Sequence, residues 1–291
     1  MKRAIRLGKG NNHPFNGETV YFATKHLKET ALAPLFESIG MRCVRVDVDT
    51  DRFGTFSGEV ERVGSVRETL RLKANAASRL NPEGRFFLAS EGSFGPHPFI
   101  GFVQSDHEAL LLVDRKLETE IYVDEITTKT NHAETEFGPR DDLHAILKQI
   151  GFPEHGIIVK PKGNSSIVFK DLHTFHAVGQ AIIDAFKASK EPKVILSTDM
   201  RANFNPTRMK AIAKTGEKLI QALNSFCPTC QTPGFSISQG VPGLPCEECG
   251  EPSRTTKDVI FSCVKCAYSE QKARPDGLLA IPASDCEFCN P

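Results

Sequence analysis

The stretch TVYFATKHLKETALAPLFESIGMRCVRVDVD, residues 19–49, decides the fold class. It reads as a strand at residues 19–24, a helix at 25–39 that ends at Gly40, and a second strand at 42–48. Apolar residues alternate in the strands and recur at helical spacing between them. This order predicts a mixed sheet covered by helices, with the functional loops at the ends of the strands.

The same alternation continues towards the carboxyl terminus. Helices are predicted at residues 66–79, 140–151, 172–188 and 206–226, and strands at 85–89, 109–113, 120–123, 156–160 and 194–198. Residues 49–64 are expected to form a loop, and SEGSFGPHP at 90–98 a turn that is neither helix nor regular strand. We therefore expect an α/β domain at residues 1–226 and a small zinc-ribbon module at 227–291.

Composition and charge fit a soluble globular protein. The 291 residues carry 36 Lys and Arg against 36 Asp and Glu, and 40% of them are hydrophobic. The opening MKRAIRLGKG is followed by neither an apolar signal core nor a membrane-length apolar run. The sequence thus predicts a cytoplasmic protein that does not enter a membrane.

Eight of the nine cysteines lie in the last 65 residues, as four Cys-x-x-Cys pairs. Such a pair sits on one tight turn that points both sulfurs at one ion, so four pairs fit two structural zinc sites with four thiolates each. A disulfide framework would need an oxidising compartment and is disfavoured. Cys43 is expected to be a buried strand residue. The four pairs are, in order, Cys227/Cys230, Cys246/Cys249, Cys263/Cys266 and Cys286/Cys289.

The pairing of these turns is a separate question. The stretch CEECGEPSRTTKDVIFSCVKC, residues 246–266, favours one hairpin ribbon closed by the second and third pairs, which leaves the first and fourth pairs for the other site. Sequential and cross-braced pairings use the same eight ligands and stay open. Residues 227–291 carry five Lys and Arg against eight Asp and Glu, so we expect a structural module that docks a protein partner and not nucleic acid.

Two segments combine residues suited to phosphate chemistry. FATKHLKE, residues 22–29, ends a strand and begins a helix, so Thr24, Lys25 and Lys28 are candidates for binding phosphate at a helix N-terminus. In the predicted helix 66–79, Glu68 and Lys73 could direct a carboxylate and an ammonium into one cleft. Taken alone, the second pattern is more typical of a solvated amphipathic helix.

Two later segments add candidates. LASEGSFGPHPF, residues 88–99, places Glu91 at the end of a strand, where a doubly wound sheet holds a metal ligand or base. Ser93 and His97 follow it as candidate ligand contacts, although a lone histidine between two prolines is more often structural. The segment 195–209 offers two arginines that can bind phosphate bidentately, Arg201 and Arg208.

In order and spacing these segments resemble the inosine/xanthosine triphosphate pyrophosphatase superfamily, which includes the Maf-like proteins. FATKHLK is similar to its T-N-x-x-K phosphate loop, with Thr24 and Lys28 in register and Lys25 in place of the asparagine. Glu68-Thr-Leu-Arg-Leu-Lys73-Ala is similar to its E-N-A-x-x-K-A helix, and Leu88-Ala-Ser-Glu91-Gly to its acidic strand end, with Ser-Glu-Gly in place of an Asp-Ser-Gly type of turn. The resemblance covers about residues 17–125. TKHLKE, DTDRFGTFSGEVER and ASEGSFGPHPF also resemble an uncharacterised bacterial family with the same four-pair cysteine tail.

The superfamily resemblance implies a cleft between two lobes of a bent mixed sheet, a magnesium ion held by carboxylates, and water attack on the α-phosphate of a nucleotide. The first expectation is therefore a magnesium-dependent nucleoside triphosphate pyrophosphatase, with Glu91, Glu68, Lys73 and Lys28 as catalytic residues. The alternative is a non-catalytic protein that binds a nucleotide or another phosphorylated small molecule and docks a partner through its zinc module. A homodimer is one candidate oligomeric state.

Overall fold

The computed structural model describes residues 13–54, 64–98, 101–164 and 166–290. The chain divides into two compact units, the first comprising residues 1–113 and 122–218 and the second residues 114–121 and 219–291. Most of the loop predicted at residues 49–64 lies outside the described residues. Within the described ranges, no helix combines the length and the apolar character needed to span a membrane.

A five-stranded mixed sheet organises the amino-terminal part of the chain, with strand order β2-β1-β3-β4-β5. Strand β1 pairs in parallel with both β2 and β3. Helix α2 packs its apolar face on this sheet, where Leu70, Ala74 and Ala77 contact Phe87 and Leu111 in one buried cluster. The elements are β1 (Thr19–Ala23), α1 (Glu29–Glu37), β2 (Arg42–Val46), α2 (Val66–Leu80), β3 (Phe86–Pro96), β4 (Gln104–Asp114) and β5 (Thr119–Thr127).

A four-stranded antiparallel sheet follows, with strand order β6-β9-β7-β8. Ile157 and Leu196 of this sheet share a buried cluster with Val178 of helix α4. Helix α4 begins at a Thr174 cap, whose side chain accepts a hydrogen bond from the Ala177 amide. The elements are β6 (Glu134–Phe137), α3 (Leu143–Ile150), β7 (Ile157–Pro161), β8 (Phe169–Leu172), α4 (Phe175–Ala188), β9 (Val194–Thr198) and α5 (Pro206–Leu223).

The second unit contains a three-stranded antiparallel sheet formed by β10 (Ser236–Pro242), β11 (Thr256–Ser262) and β12 (Ser269–Ala273). Phe235 packs against the rings of Phe261 and Tyr268 at centroid distances of 5.6 and 5.7 Å. Gly234 precedes this cluster with a φ of +102°, and a Cβ there would lie 2.9 Å from the Ile121 side chain. Glycine is therefore required both by the backbone conformation and by the close contact.

The predicted α/β class, with a mixed sheet flanked by helices and a cysteine-rich carboxyl-terminal module, is confirmed. The turn predicted at residues 90–98 is wrong, because β3 continues to Pro96 beside β4, and the His97 amide donates to the Val103 carbonyl at 2.7 Å. The first helix starts at Glu29, four residues later than predicted, since Leu27 has a left-handed φ of +55° that interrupts any helix before it.

Candidate functional site

The loop between β1 and α1 lines a pocket in the first unit. Ala23 lies opposite Ala89 in the parallel pairing of β1 with β3, so the residues that follow each strand are neighbours. Lys28 Nζ is 3.0 Å from Ser90 Oγ, and both residues are buried. The strand register thus brings together two segments that are 62 residues apart in sequence.

Helix α2 and strand β3 supply a buried ion pair to the same pocket. Lys73 donates to the Glu91 carboxylate, and the two side chains are only 8% and 10% exposed. Lys73 Nζ also lies 3.5 Å from the Ser90 carbonyl oxygen. A buried ion pair needs such additional hydrogen bonds to offset the loss of hydration.

Arg208, in the first turn of α5, is held by a dense set of contacts. Its Nε donates to Glu108 Oε1 at 2.5 Å, and its Nη1 donates to the Met200 carbonyl at 2.5 Å. The guanidinium stacks over the Phe94 ring, 4.8 Å from the centroid. Glycine is needed at position 92, because a Cβ there would overlap Arg208 Nη2 and lie 2.7 Å from Glu108 Oε1. The guanidinium is therefore fixed in the pocket wall.

Two more cations lie in the pocket wall with their own acidic partners. Arg201 Nη2 donates to Asp199 at 2.6 Å, and the guanidinium stacks over Phe204 at 4.4 Å. Lys25 Nζ donates to Asp51 at 2.6 Å. His26 beside them stays neutral near pH 7, because burial, and then the charge of Lys28, lowers its pKa to about 4.

The lining of the pocket carries more cations than carboxylates, although four of these cations have acidic partners. Its volume is about 240 Å³, and its lining contains six lysines and arginines against two carboxylates, Asp51 and Glu91. This excess of positive charge attracts anions, and Arg and Lys are the residues that bind phosphate in proteins. The six cationic residues are Lys25, Lys28, Lys73, Lys170, Arg201 and Arg208.

Thr24 provides the pocket's most informative polar atom. Its side chain is 2% exposed, and its Oγ1 has no hydrogen-bond partner among the described residues. A buried hydroxyl without a partner is unfavourable by about 1–3 kcal/mol, so such groups usually have a ligand, an ion or water as their partner. Because Thr24 lines the pocket, its free hydroxyl is available to a molecule bound there.

The electrostatics of Lys28 differ from those of an ordinary lysine. Burial, and then the nearby charge of Arg208, lowers its pKa to about 7, against the attraction of Glu108 and Glu91. Near neutral pH the side chain is therefore divided between ammonium and amine. An anion in the pocket favours the ammonium form, because it supplies the opposite charge that the pocket lacks.

A buried carboxyl pair lies behind the pocket lining on β4. Asp106 and Glu108 are each 1% exposed, and both Asp106 oxygens lack a donor among the described residues. Burial, and then the adjacent Glu108, raises the pKa of Asp106 to about 8. Asp106 is thus predominantly a neutral acid near pH 7, and Glu108 is the carboxylate that holds Arg208.

Seven of the ten candidate residues outside the cysteine module line the pocket: Thr24, Lys25, Lys28, Lys73, Glu91, Arg201 and Arg208. The other three, Glu68, Ser93 and His97, are not in its lining. Glu68 is instead the third residue of α2 in a capping box, where its carboxylate accepts hydrogen bonds from the amide and hydroxyl of Ser65 at 2.7 Å. The structure therefore gives Glu68 and Glu91 separate partners, and of the two only Glu91 lines the pocket.

The sequence did not reveal several pocket residues. Ser90, Gly92 and Phe94 precede and follow Glu91 on β3, and the extended strand that places them was expected to be a turn. Asp51 comes shortly after the end of β2. Glu91 was selected because it is an acidic residue at the end of a strand, and the same reasoning applies to Asp51. Lys170 comes from β8 of the second sheet, and no local pattern links it to the first.

The paired cysteines form two groups that could hold metal ions. One tetrad contains the first and third pairs, and the other contains the second and fourth. Sulfur separations across the pairs are 3.6 and 3.5 Å in the first tetrad and 3.8 and 3.7 Å in the second. A tetrahedral site with Zn–S bonds of about 2.3 Å has S–S edges of about 3.8 Å, so the geometry is consistent with zinc and far from a disulfide.

The pairing favoured by the sequence is wrong, and the tetrads are cross-braced. The first pair precedes β10 and the third follows β11, and Ser236 lies opposite Ser262 at that end of the sheet. The second pair follows β10, and the fourth comes after β12, whose last residue, Ala273, lies opposite Asp258 at the other end. Strand β11 spans roughly 20 Å between the second and third pairs, at about 3.4 Å per residue, and keeps them from sharing an ion.

Comparison with known proteins places the chain in a family. Residues 81–291 match the family described as "Domain of unknown function (DUF6671)", and since this is most of the chain, the protein belongs to that family. The matched range includes Glu91, Arg201, Arg208 and all eight paired cysteines. A crystal structure of protein VC0702 from Vibrio cholerae is similar with a TM-score of 0.29 and 9% identity, covering 47% of this chain and 78% of that one. No curated protein matches the chain.

Proposed function

We propose that this member of the DUF6671 family binds a phosphorylated small molecule in its cationic pocket, with nucleotides as the first candidates. The observation that carries the proposal is the unpartnered Thr24 hydroxyl, buried in the same pocket as Lys28. A phosphate oxygen would accept a hydrogen bond from this hydroxyl and neutralise the cationic wall. The short loop into α1 adds a helix N-terminus, which also favours an anion.

The size of the pocket bears on which part of a ligand it accepts. Its volume of about 240 Å³ lies just below the ~300–1,000 Å³ typical of sites that enclose a whole drug-sized molecule. We therefore expect it to enclose a small phosphorylated molecule, or the phosphate groups of a nucleotide. The resemblance of FATKHLK to the phosphate loop of triphosphate pyrophosphatases supports the same assignment.

Thr24→Val should weaken phosphate binding without loss of stability. Valine has nearly the same shape as threonine, and it removes a buried hydroxyl that has no described partner, so the free protein should be as stable as before or more stable. A hydrogen bond to a charged group contributes about 1.5–3 kcal/mol, so affinity should fall by roughly 10- to 150-fold. Calorimetric titration with pyrophosphate and with nucleoside triphosphates measures the affinity.

Thr30→Val is the matched control. Thr30 is exposed, lies six residues further along the chain, and bonds to the Leu27 carbonyl at 2.8 Å. Its substitution should leave affinity unchanged. Equal affinity of the Thr24→Val variant and the parent protein for every phosphorylated ligand would contradict the proposed site.

A second candidate function, magnesium-dependent hydrolysis of a nucleoside triphosphate, is favoured by the position of Glu91 in the pocket wall. Mg²⁺ is usually held by one or two carboxylates together with substrate phosphates, and Glu91 and Asp51 are the carboxylates of the lining. Both already carry ion pairs, with Lys73 and Lys25, so these partners would have to turn towards the phosphates when the ion binds. The ion would supply charge stabilisation for the departing pyrophosphate.

If the chain is a hydrolase, Glu91→Gln should lower metal-dependent turnover by about a hundredfold or more, because a metal ligand supplies several kcal/mol of transition-state stabilisation. Glu68→Gln is the control, since glutamine can replace glutamate in a capping box and Glu68 is not in the pocket lining. Phosphate release with and without Mg²⁺ measures the effect. Loss of turnover in the Glu68 variant with Glu91→Gln unaffected would reverse the assignment.

We also propose that both cysteine tetrads hold structural zinc. Each site is closed by four thiolates, which leaves no coordination position for chemistry. Apart from the cysteines, the buried residues near the second tetrad are few, with Leu244 and Ile281 as the main ones. Such a small core needs metal to fold. A role in docking a protein partner remains part of this proposal.

A further inference from the structure

Lys28 differs from the other cations of the pocket in the partner it binds. Its hydrogen bond goes to the Ser90 hydroxyl, a neutral group. Four of the other five cationic residues of the lining donate instead to carboxylates. These pairs are Lys25 with Asp51, Lys73 with Glu91, Arg201 with Asp199, and Arg208 with Glu108.

The surroundings of Lys28 suit a reactive amine. The side chain is 7% exposed and lies in the lining of an open pocket. Burial is the main reason why the pKa of Lys28 falls to about 7. The charges of Arg208 and Lys73 lower it further, and those of Glu108 and Glu91 raise it. Lysines desolvated beside other cations are the ones that act as nucleophiles towards carbonyl groups.

We propose that Lys28 forms an imine with an aldehyde or ketone that also carries a phosphate group. This inference rests on the proposed phosphate binding, because the phosphate delivers the carbonyl group to the amine. The neutral Nζ adds to the carbonyl carbon, and the carbonyl oxygen leaves as water after taking up two protons. Both protons come from the nitrogen, so the amine and the carbonyl compound give an imine and one water molecule. No oxidant or reductant takes part.

Ser90 is placed to assist the proton transfer. Its hydroxyl lies 3.0 Å from Lys28 Nζ, so it can accept a proton from the nitrogen and return it to the departing oxygen. The phosphate would contact Thr24 and the guanidinium side of the pocket, which leaves the amine for the carbonyl group. Lys73 is a poor competitor, because it is already paired with Glu91.

Imine formation at Lys28 can be tested by treating the whole chain with pyridoxal 5′-phosphate, an aldehyde that carries a phosphate group. We expect borohydride reduction followed by peptide mass spectrometry to find one main adduct, at Lys28. Its yield should rise as the pH is raised through the pKa of Lys28, which is about 7 in the free protein and higher with the phosphate bound, still below the range in which exposed lysines lose their protons. The Lys28→Arg variant keeps the positive charge and should lose this adduct.

Two related compounds separate this inference from the proposed function. Pyridoxine 5′-phosphate has an alcohol where the aldehyde stands, so it can bind but cannot form an imine; pyridoxal has the aldehyde without the phosphate. Binding of pyridoxine 5′-phosphate, combined with no aldehyde adduct at Lys28 or with labelling spread over many lysines, would overturn the imine and leave phosphate binding intact. If pyridoxal labels Lys28 as efficiently as pyridoxal 5′-phosphate does, the phosphate group does not deliver the carbonyl group to the amine. Absence of binding by all three would overturn the imine, and absence of binding by pyrophosphate and nucleotides as well would overturn the proposed function.

Discussion

Replacing all four cysteines of the first and third pairs by serine should leave one zinc ion per chain, whereas replacing those of the second and third pairs should leave none. The first variant removes one complete tetrad and keeps the other. The second variant leaves two thiolates in each site, and two thiolates do not complete a tetrahedral site. The affected residues are Cys227, Cys230, Cys263 and Cys266 in the first variant, and Cys246, Cys249, Cys263 and Cys266 in the second.

Elemental analysis of each purified variant, after dialysis against a weak chelator, distinguishes the three pairings. The hairpin pairing suggested by the sequence gives the opposite result, with one ion in the second variant and none in the first. Sequential pairing gives none in either, but one ion when the first and second pairs are replaced together. The parent protein, for which we expect two ions per chain, is the reference. One ion in the second variant would contradict the cross-braced arrangement.

Loss of these ions should have the largest effect on stability of any change considered. Apparent binding free energies of structural zinc reach about 10–16 kcal/mol, and this energy drives folding where the core is small. The sheet of β10, β11 and β12 is mostly exposed, with Val259 as its buried residue. Without metal, strands β10, β11 and β12 should exchange their amide protons rapidly. Hydrogen exchange on the chelated protein measures this, with the strands of the first unit as internal reference.

The cysteine module shows what local spacing can and cannot predict. Each Cys-x-x-Cys turn is a local feature, and the sequence identified all eight cysteines of the two tetrads. The pairing of the turns depends on which end of a sheet each turn reaches, and this follows from the antiparallel pairing of β10 with β11. Residues 246–266 were interpreted as one hairpin ribbon, but they contain the whole of β11, which holds the second and third pairs apart.

The pocket shows the same contrast. Thr24 and Lys28 could be predicted, because a strand followed at once by a helix is a local signal for an anion site. Glu68 was assigned to the cleft from its position on the predicted helix and from the resemblance, but it is the last residue of a Ser-x-x-Glu capping signature that begins at Ser65. That signature is visible in the sequence. Lys170, by contrast, reaches the pocket from the other sheet, and local patterns do not specify such pairing.

Arg208→Met should destabilise the protein by about 3–5 kcal/mol, the range found when one partner of a buried ion pair is removed. The side chains of Arg208 and Glu108 are 6% and 2% exposed and are joined at 2.5 Å. The substitution keeps a long apolar side chain over Phe94, so lost packing contributes little. What remains is a buried Glu108 carboxylate without its cation, and its other oxygen already lacks a donor among the described residues.

Lys210→Met is the control for the same substitution type on an exposed position of α5, and it should change stability by less than about 0.5 kcal/mol. Urea denaturation followed by circular dichroism measures both variants.

The decisive variant is the double replacement Arg208→Met with Glu108→Gln, which removes the charge that the single variant leaves unpaired. If the ion pair is formed as described, the double variant should recover a substantial part of the lost stability, because the unpaired buried charge, the main cost of the single variant, is gone. A single variant as stable as the control, or a double variant whose two effects simply add, would show that Glu108 and Arg208 do not depend on each other. Ligand affinity should stay low in the double variant, because the pocket has lost a cation whether or not stability returns.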